Sequence, residues 1–449
     1  MSEEPFSGFI RIQSFYTNPV LSTGLWNIGA LWCKMRKIVY KLRNVIFFIY
    51  FCRALTTESY TLRLLFISDF TEQFAYRFLR GVLDYSRRSE PWVVCKMPPA
   101  FKHNLGLEGV VSWAKTWKAD VVIAQFDPDD DVTLFKKNGI IAIAQDYISK
   151  FSQIPNITGQ YERAGRMAAE HFIKKKFRNF GFFGFNGVCW SDERYEGFKK
   201  QIEESGYGDC LHLYDKQNID NLWYYDQTSL HEWLMSLPKP IAIMTCDDNQ
   251  GNILIQACHV CGLKIPFDVA IIGVDNDEIL CNMSEPAMST INVDIERGGY
   301  DTAAMVDRMV NDPSYEGEDV VLKSINVVER VSSSLFATDD KAILKALRFI
   351  MANIDHRISV SDVLAQVPMS RRLLEQRFKA MTGVTIYDYI SIHRIERFAQ
   401  LLLSSNDSIS DIAARLDEFD TKSISRRFKA LKGCTPTQYR KAKLRKLSI

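Results

Sequence analysis

The sequence predicts a two-lobed α/β region over residues 61–331, joined to an all-α domain with two helix-turn-helix motifs over 341–449. Three observations lead there. From Thr61 onward, short apolar runs alternate with amphipathic stretches, the pattern of parallel strands linked by helices. Near the carboxyl end one helical pattern is written twice, beginning at Ser359 and Asp362 and again at Ser408 and Asp411. Charge is also unevenly divided. The whole chain carries +2, but residues 338–449 hold 21 Lys and Arg against 12 Asp and Glu, an excess of 9. That is the footprint of a part that meets nucleic acid, and what precedes it must be acidic on balance. At 449 residues the chain has room for two or three domains.

Residues 1–60 show no clear period. Lys34, Arg36, Lys37, Lys41 and Arg43 precede an apolar run at 45–52, too short for a bilayer, which needs about 20 residues. The basic residues lie too far from Met1 for an ordinary secretory signal. The segment is read as an irregular extension outside the fold. A helix lying on a membrane or a partner is the alternative, and no site is placed there.

In the α/β region, residues 62–68 read as a buried strand and 72–87 as an amphipathic helix. Further strands are expected at 92–95, 121–125, 140–144, 180–185, 241–245 and 269–274, with helices at 161–176, 193–205 and 251–261. These units suffice for two lobes with a cleft between them, and ligands of such sheets sit beyond the carboxyl ends of the strands. Asp69 and Phe70 follow the first strand, and Asp146 follows the run at 140–144. Trp190, Asp192 and Arg194 lie between a strand and the next helix. Asp247, Asp248 and Asn249 follow 241–245, and Asp275, Asn276 and Asp277 follow 269–274. Carboxylates accept from paired hydroxyls, Arg donates to ring oxygens, and an aromatic face covers C–H surface, so the set suits a sugar. A strand-end Asp can equally be the N-cap of the following helix. Trp190 and Arg194 have no such explanation.

The 10 cysteines have no framework spacing and are read as free thiols of a reducing cytoplasm. Cys258 and Cys261 form a lone CxxC inside a helical apolar pattern, without the further ligands a metal needs. No metal and no cofactor are expected. The chain shows no nucleophile elbow, phosphate loop or metal-ligand spacing, so it is not read as an enzyme. The alternative is a sugar- or nucleoside-processing enzyme with a helical appendage, its cleft carboxylates doing acid–base work.

Arg194-Tyr-Glu-Gly-Phe198, Asp248 in a strand-to-helix turn, and the stretch from Gly262 to Asp275 carry a resemblance to the LacI and periplasmic-binding-protein type of sensor. It implies a sugar in the cleft, a pentose such as xylose before others, held by Arg194, Asp248 and Asp275. Asp69, Phe70, Asp146 and Trp190 complete the expected ligand set. Another sugar or a nucleoside is the alternative. The headpiece that usually precedes such a sensor is expected to be replaced by the helices at the other end.

Residues 312–317 read as a turn and 320–331 as the last strand of the sensor. The polar stretch 332–340 is taken as a linker. A helix then runs over 341–353 from a cap at Thr338 or Asp339. Each Ser-x-x-Asp is a capping signal. Each copy then offers a second start, Ser370 and Thr421, opening a helix that is basic on one side and apolar on the other. Helix, turn and basic helix place the second helix in the major groove. The stretch 387–403, with apolar residues at three-and-four spacing and no Pro or Gly, is one continuous helix between the copies. A rigid connector lets one chain touch successive major-groove segments about 34 Å apart.

Phe378-Lys379, Arg394, Leu401-Leu402, Ile412-Ala413 and the close from Gly433 to Arg440 resemble the AraC/XylS family of bacterial transcription regulators. The family usually has Gly and an aromatic in the second turn. Here Asp417 and Glu418 align there, and Phe419 comes one residue later. Together the likenesses imply an α/β two-lobed periplasmic-binding-protein-like sensor followed by an all-α double helix-turn-helix domain. Base and phosphate contacts are expected from Ser370, Arg371, Arg372, Glu375, Gln376 and Lys379, and in the second copy from Thr421, Lys422, Ser423, Ser425 and Arg426. Leu374, Phe378, Ile424 and Phe428 should face inward. The expected partners are double-stranded promoter DNA, a small sugar and a second copy of the chain, with RNA polymerase a candidate and no membrane.

Overall fold

The computed structural model describes residues 61–88, 91–214, 228–338, 340–418 and 420–447. The expected extension 1–60, the cap at Asp339 and the aromatic Phe419 lie outside the described residues.

Ten strands are laid down before the chain turns back: β1 (Arg63–Ile67), β2 (Val93–Met97), β3 (Val121–Ala124), β4 (Ile141–Gln145), β5 (Asn156–Gly159), β6 (Phe180–Phe183), β7 (Leu211–Tyr214), β8 (Ile241–Thr245), β9 (Val269–Asp275) and β10 (Ser289–Val293). β11 (Val320–Leu322) and β12 (Ser324–Val328) follow. They form two six-stranded sheets, ordered β11-β5-β4-β3-β1-β2 and β12-β10-β9-β8-β6-β7. Every pairing is parallel except β10 with β12. Central strands such as β3, β6 and β8 are buried at every residue, which is why they read as continuous apolar runs without alternation.

Helices α1 (Gln73–Ser86), α2 (Pro99–Trp117), α3 (Thr133–Lys137), α4 (Tyr161–Lys174), α5 (Cys189–Glu204), α6 (Thr228–Ser236), α7 (Asp248–Val260), α8 (Glu278–Met283) and α9 (Ile295–Asn311) cover these sheets. α9 packs on α1 and α4 on α5. In both pairs glycines let the backbones touch: a Cβ on Gly81 would lie 1.9 Å from the Glu296 carbonyl oxygen, and one on Gly165 would lie 2.1 Å from that of Arg194.

The run 320–331, expected as one strand, is two, because the chain crosses between lobes at Lys323 and gives one short strand to each sheet. The other crossings, between β5 and α4 and between β10 and α9, lie beside it. Gln160 N–H donates to the Leu322 carbonyl at 2.9 Å, and Asp294 N–H to that of Lys323 at 3.0 Å. The site lies above this three-stranded hinge.

The head begins with α10 (Lys341–Ala352). Its cap is Asp340, which accepts from Ala342 and Ile343 N–H at 3.0 and 3.3 Å, while Thr338 only accepts from Asp340 N–H. α11 (Val360–Leu364) starts on a complete capping box of Ser359 and Asp362, and α12 (Arg371–Thr382) on Ser370. α13 (Ile386–Ser404) is the continuous connector, capped by Thr385. α14 (Ile409–Arg415) repeats the box with Ser408 and Asp411. α15 (Thr421–Lys432) is capped by Asp420, so Thr421 is its first residue and not its cap. α16 (Pro436–Leu447) closes the head. Two cores form. Leu347, Leu374, Phe378 and Tyr389 centre the first, and Phe398, Leu402, Ile412 and Phe428 the second. The early turns of α13 therefore belong to one core and the later turns to the other. Leu374, Phe378, Ile424 and Phe428 are at most 1% exposed.

The expected polar linker is not solvated. Ser332, Ser333 and Ser334 are buried, the Ser332 hydroxyl donates to the Ile271 carbonyl at 2.7 Å, and Leu335 enters the first head core. Its serines read as loop, yet the Ser332 hydroxyl bridges β9 and β10, donating to the Ile271 carbonyl and accepting from Ser289 N–H at 2.8 Å.

Candidate functional site

Between the two sheets lies a cavity of about 900 Å³, part of it open to solvent. Of the expected ligand residues, Asp146, Trp190, Arg194, Asp248 and Asp275 line it. Asp69 and Phe70 do not. Asp69 is exposed and closes a local turn, accepting from the Thr71 N–H and hydroxyl at 2.8 and 2.7 Å. Phe70 packs on Phe66 and Tyr76 with ring centroids 5.5 and 5.8 Å away. α5 starts at Cys189, so Trp190, Asp192 and Arg194 belong to its first turns rather than to a loop, and Asp192 is exposed. The structure adds Glu72, Arg77, Gln125, Gln145, Tyr161 and Asp247 to the lining.

Arg194 is the centre. It is 5% exposed, donates to the Cys246 carbonyl, and meets Asp275 at 3.1 Å. Tyr161 and Trp190 flank its guanidinium, with centroids 5.3 and 5.2 Å from Cζ. Its Nε has no hydrogen-bond partner. Asp146 Oδ1 accepts from the Tyr161 hydroxyl at 2.8 Å, while Oδ2 makes no bond of ordinary geometry, although Thr158 lies beside it. A buried donor and a buried acceptor left without partners cost free energy unless something polar reaches them.

Asp248 plays another part. Its oxygens accept from the Thr290 hydroxyl at 2.6 Å and from Asp277 N–H at 2.7 Å, so it ties α7 to the turn that carries Asp275. Asp247 is the N-cap of α7, accepting from Gln250 N–H at 2.7 Å. Its carboxylate therefore caps the helix while the side chain borders the cavity. Burial pushes Asp248 up to about 8, and Asp146 and Asp247 up to about 6. Glu72 is exposed at the rim of the cavity, with protein packed around its carboxyl. That burial, with Asp247, Asp69, Asp275 and Asp277 around it, raises its carboxyl to about 8.

Contacts span the lobes around the cavity. Arg77 on α1 donates to the carbonyls of Asp275 and Val293, the latter at 3.1 Å, and pairs with Glu296 at 2.9 Å. Lys150 pairs with Glu193 at 2.8 Å, and Cys189 N–H donates to the Tyr147 carbonyl at 2.8 Å. Glu72, Arg77 and Tyr161 escaped the sequence reading because Glu72 and Arg77 cap and line an amphipathic helix, and Tyr161 opens one after the short strand β5, which was not among the expected strands. Gln125 and Gln145 do end apolar runs, and that polarity was the available signal.

In the head, Ser370, Arg371, Arg372, Gln376 and Lys379 are exposed, and Glu375 is half-buried with Arg371 3.6 Å away. On α15, Lys422 and Arg426 are exposed, and Thr421, Ser423 and Ser425 are half-buried. Ser370 also serves as cap, accepting from Leu373 N–H at 3.4 Å. Among the described residues no helix is long and apolar enough to cross a membrane, and no group of three or more His, Cys, Asp or Glu is placed to hold a metal.

A family model described as a periplasmic binding protein-like domain matches residues 169–333, and one described as a helix-turn-helix domain matches residues 363–442. The chain is similar to the xylose operon regulatory protein of Escherichia coli (strain K12), 27% identical over 337 residues that span 73% of this chain and 85% of the relative. It is also similar to the protein of that name from Haemophilus influenzae, 28% identical over 301 residues, 65% of this chain and 77% of the relative. Among solved structures it resembles a xylose-binding transcription activator, with a TM-score of 0.63 at 23% identity, over 86% of this chain and 99% of that one. A LacI-type regulator from Alkaliphilus metalliredigens in complex with D-xylulofuranose matches with a TM-score of 0.51 at 18% identity, over 61% of this chain and 99% of that one. These structural likenesses establish the fold.

Proposed function

We propose that this chain, a periplasmic-binding-protein-like sensor joined to an AraC-type helix-turn-helix domain, is a sequence-specific DNA-binding transcription regulator controlled by a small sugar, xylose or a related pentose. One observation carries the reading: a cavity rich in carboxylates and closed over a buried arginine shares a chain with two reading helices on one connector. Sugar hydroxyls donate to Asp146 and Asp275, Arg194 donates to a sugar oxygen, and Trp190 covers a C–H face. The names of the relatives favour a pentose. Arg371, Arg372 and Gln376 read base edges, with Arg to guanine and Gln to adenine, and Lys379 meets phosphate. The protein works in the cytoplasm as a homodimer, beside RNA polymerase and without catalysis.

Sugar that holds the lobes together shifts the equilibrium only by its differential affinity for the two arrangements. The hinge strands and the buried stretch 332–335 carry that change to the head. Thermal-shift measurements over pentoses, hexoses and nucleosides test the site. A pentose should raise the melting temperature of the wild type and leave Asp275→Ala unmoved. A normal shift in Asp275→Ala would put the ligand elsewhere.

A further inference from the structure

The turn where this chain departs from the family pattern holds a cluster that the reading of DNA by two helices does not by itself require. Asp417 takes a left-handed backbone with φ 51, and its carboxylate accepts from His356 Nδ1 at 3.0 Å. Next to it, Glu418 pairs with Arg427 on α15 at 2.6 Å and lies 3.7 Å from Arg394 on α13. Arg394 is 5% exposed. Its guanidinium donates to the Leu416 carbonyl, in the turn of the second motif, and to the carbonyls of His356 and Ile354, the latter at 3.3 Å. Ile354 and His356 belong to the loop between α10 and α11 of the first motif. One turn further along α13, Arg397 grips Asp355 of that loop with two bonds of 2.8 and 3.1 Å.

We infer that Arg394, with Glu418 and Asp417, braces the two helix-turn-helix motifs directly against each other and so sets the spacing between DNA segments that this chain accepts. The inference rests on the DNA-binding reading above. A connector helix alone fixes a distance but leaves each motif free to roll about its packing on that helix. Three carbonyls drawn from both motifs converge on one buried guanidinium, whose planar fork holds a fixed geometry. The turn of one motif therefore cannot roll away from the inter-helix loop of the other without stripping those bonds from a buried charge. Glu418 also holds Arg427 away from DNA, and Glu396 on α13 pairs with Lys432 at 2.5 Å, which leaves Lys422, Arg426 and Lys429 as the basic residues of α15 available to phosphate. Arg394, Glu418 and Asp417 are positioning residues. None is placed at a base or at the sugar.

The test uses the full chain and a fragment that the wild type selects from a random-sequence DNA pool, containing two recognised segments. Versions with one to three base pairs inserted between the segments are titrated alongside it. Wild type should lose tenfold or more on the insertions. Arg394→Gln and the milder, exposed-side pair His356→Gln with Asp417→Asn should bind the original fragment several-fold more weakly and lose the insertion penalty. Sugar-induced thermal shifts and circular dichroism check that each variant is folded. If folded variants keep the wild-type spacing preference, the brace is overturned while the DNA-binding reading stands. If the wild type selects no fragment, both fall together.

Discussion

In the head, each reading helix begins on a cap beside it in sequence: Ser370 opens α12 and Asp420 opens α15. In the sensor, the cavity gathers residues from Glu72 to Ser324, drawn from both lobes and far apart in sequence. Helix starts and apolar periods are local, so they survive in one-dimensional form. A cleft between two sheets exists only after three crossings of the chain have brought the lobes together.

The largest effect that can break this contrast is in the head core. Phe378 is fully buried and meets Tyr389 edge-on at 5.3 Å. Phe378→Ala should cost the head about 3–5 kcal/mol. Calorimetry should then show the head transition displaced while the sugar-dependent shift of the sensor persists. Loss of both together would mean that the two parts fold as one unit.

Next comes base reading. Arg372→Ala should weaken binding to the selected fragment by about 1–3 kcal/mol and relax preference at one position. Equal loss on random DNA would make Arg372 a phosphate contact only. Smaller still is the cap. Ser408→Ala should cost about 1 kcal/mol, read as a lower melting temperature of the head with the sugar response unchanged. No change would mean that packing of Ile412 and Ala413 alone holds α14.

The smallest expected effect is in the sensor and follows from proton binding. Asp146 and Asp247 titrate at about 6 and Asp248 at about 8 in the fold, against 3.8 ordinarily. The native state thus keeps protons that the unfolded chain has released, and stability falls as pH rises from 3.8 through 8. Sugar hydroxyls favour the ionised carboxylates. Asp146 is the raised carboxylate that meets the sugar, so binding should release protons and tighten as pH rises through about 6. Titration calorimetry in two buffers of unequal ionisation enthalpy measures this, and proton uptake would contradict it.

The duplicated helices, the connector α13 and the central strands were legible because each is a run of residues with its own period and cap. Residues at true strand ends, Asp146 and Asp275, were legible as lining for the same reason. Asp69 and Phe70 follow a strand too, yet Thr71 supplies the Asp69 carboxylate with local donors and Phe66 gives the ring a surface to pack on. Glu72, Arg77 and Tyr161 belong to amphipathic helices, where nothing local says which polar side chain turns toward the other lobe. The brace at Arg394 was visible as a motif and as a departure at Asp417 and Glu418. Its partners Ile354 and His356 lie about 40 residues away and meet the Arg394 guanidinium through backbone carbonyls, which carry no sequence signal.

The central claim is that a sugar in the cleft governs DNA binding at the head. Affinity of the full chain for its selected fragment, titrated with and without a saturating pentose, tests it most directly. The affinity should change tenfold or more, and the change should vanish in Asp275→Ala. Identical affinity in the two conditions, with the sugar shown to be bound, would contradict it.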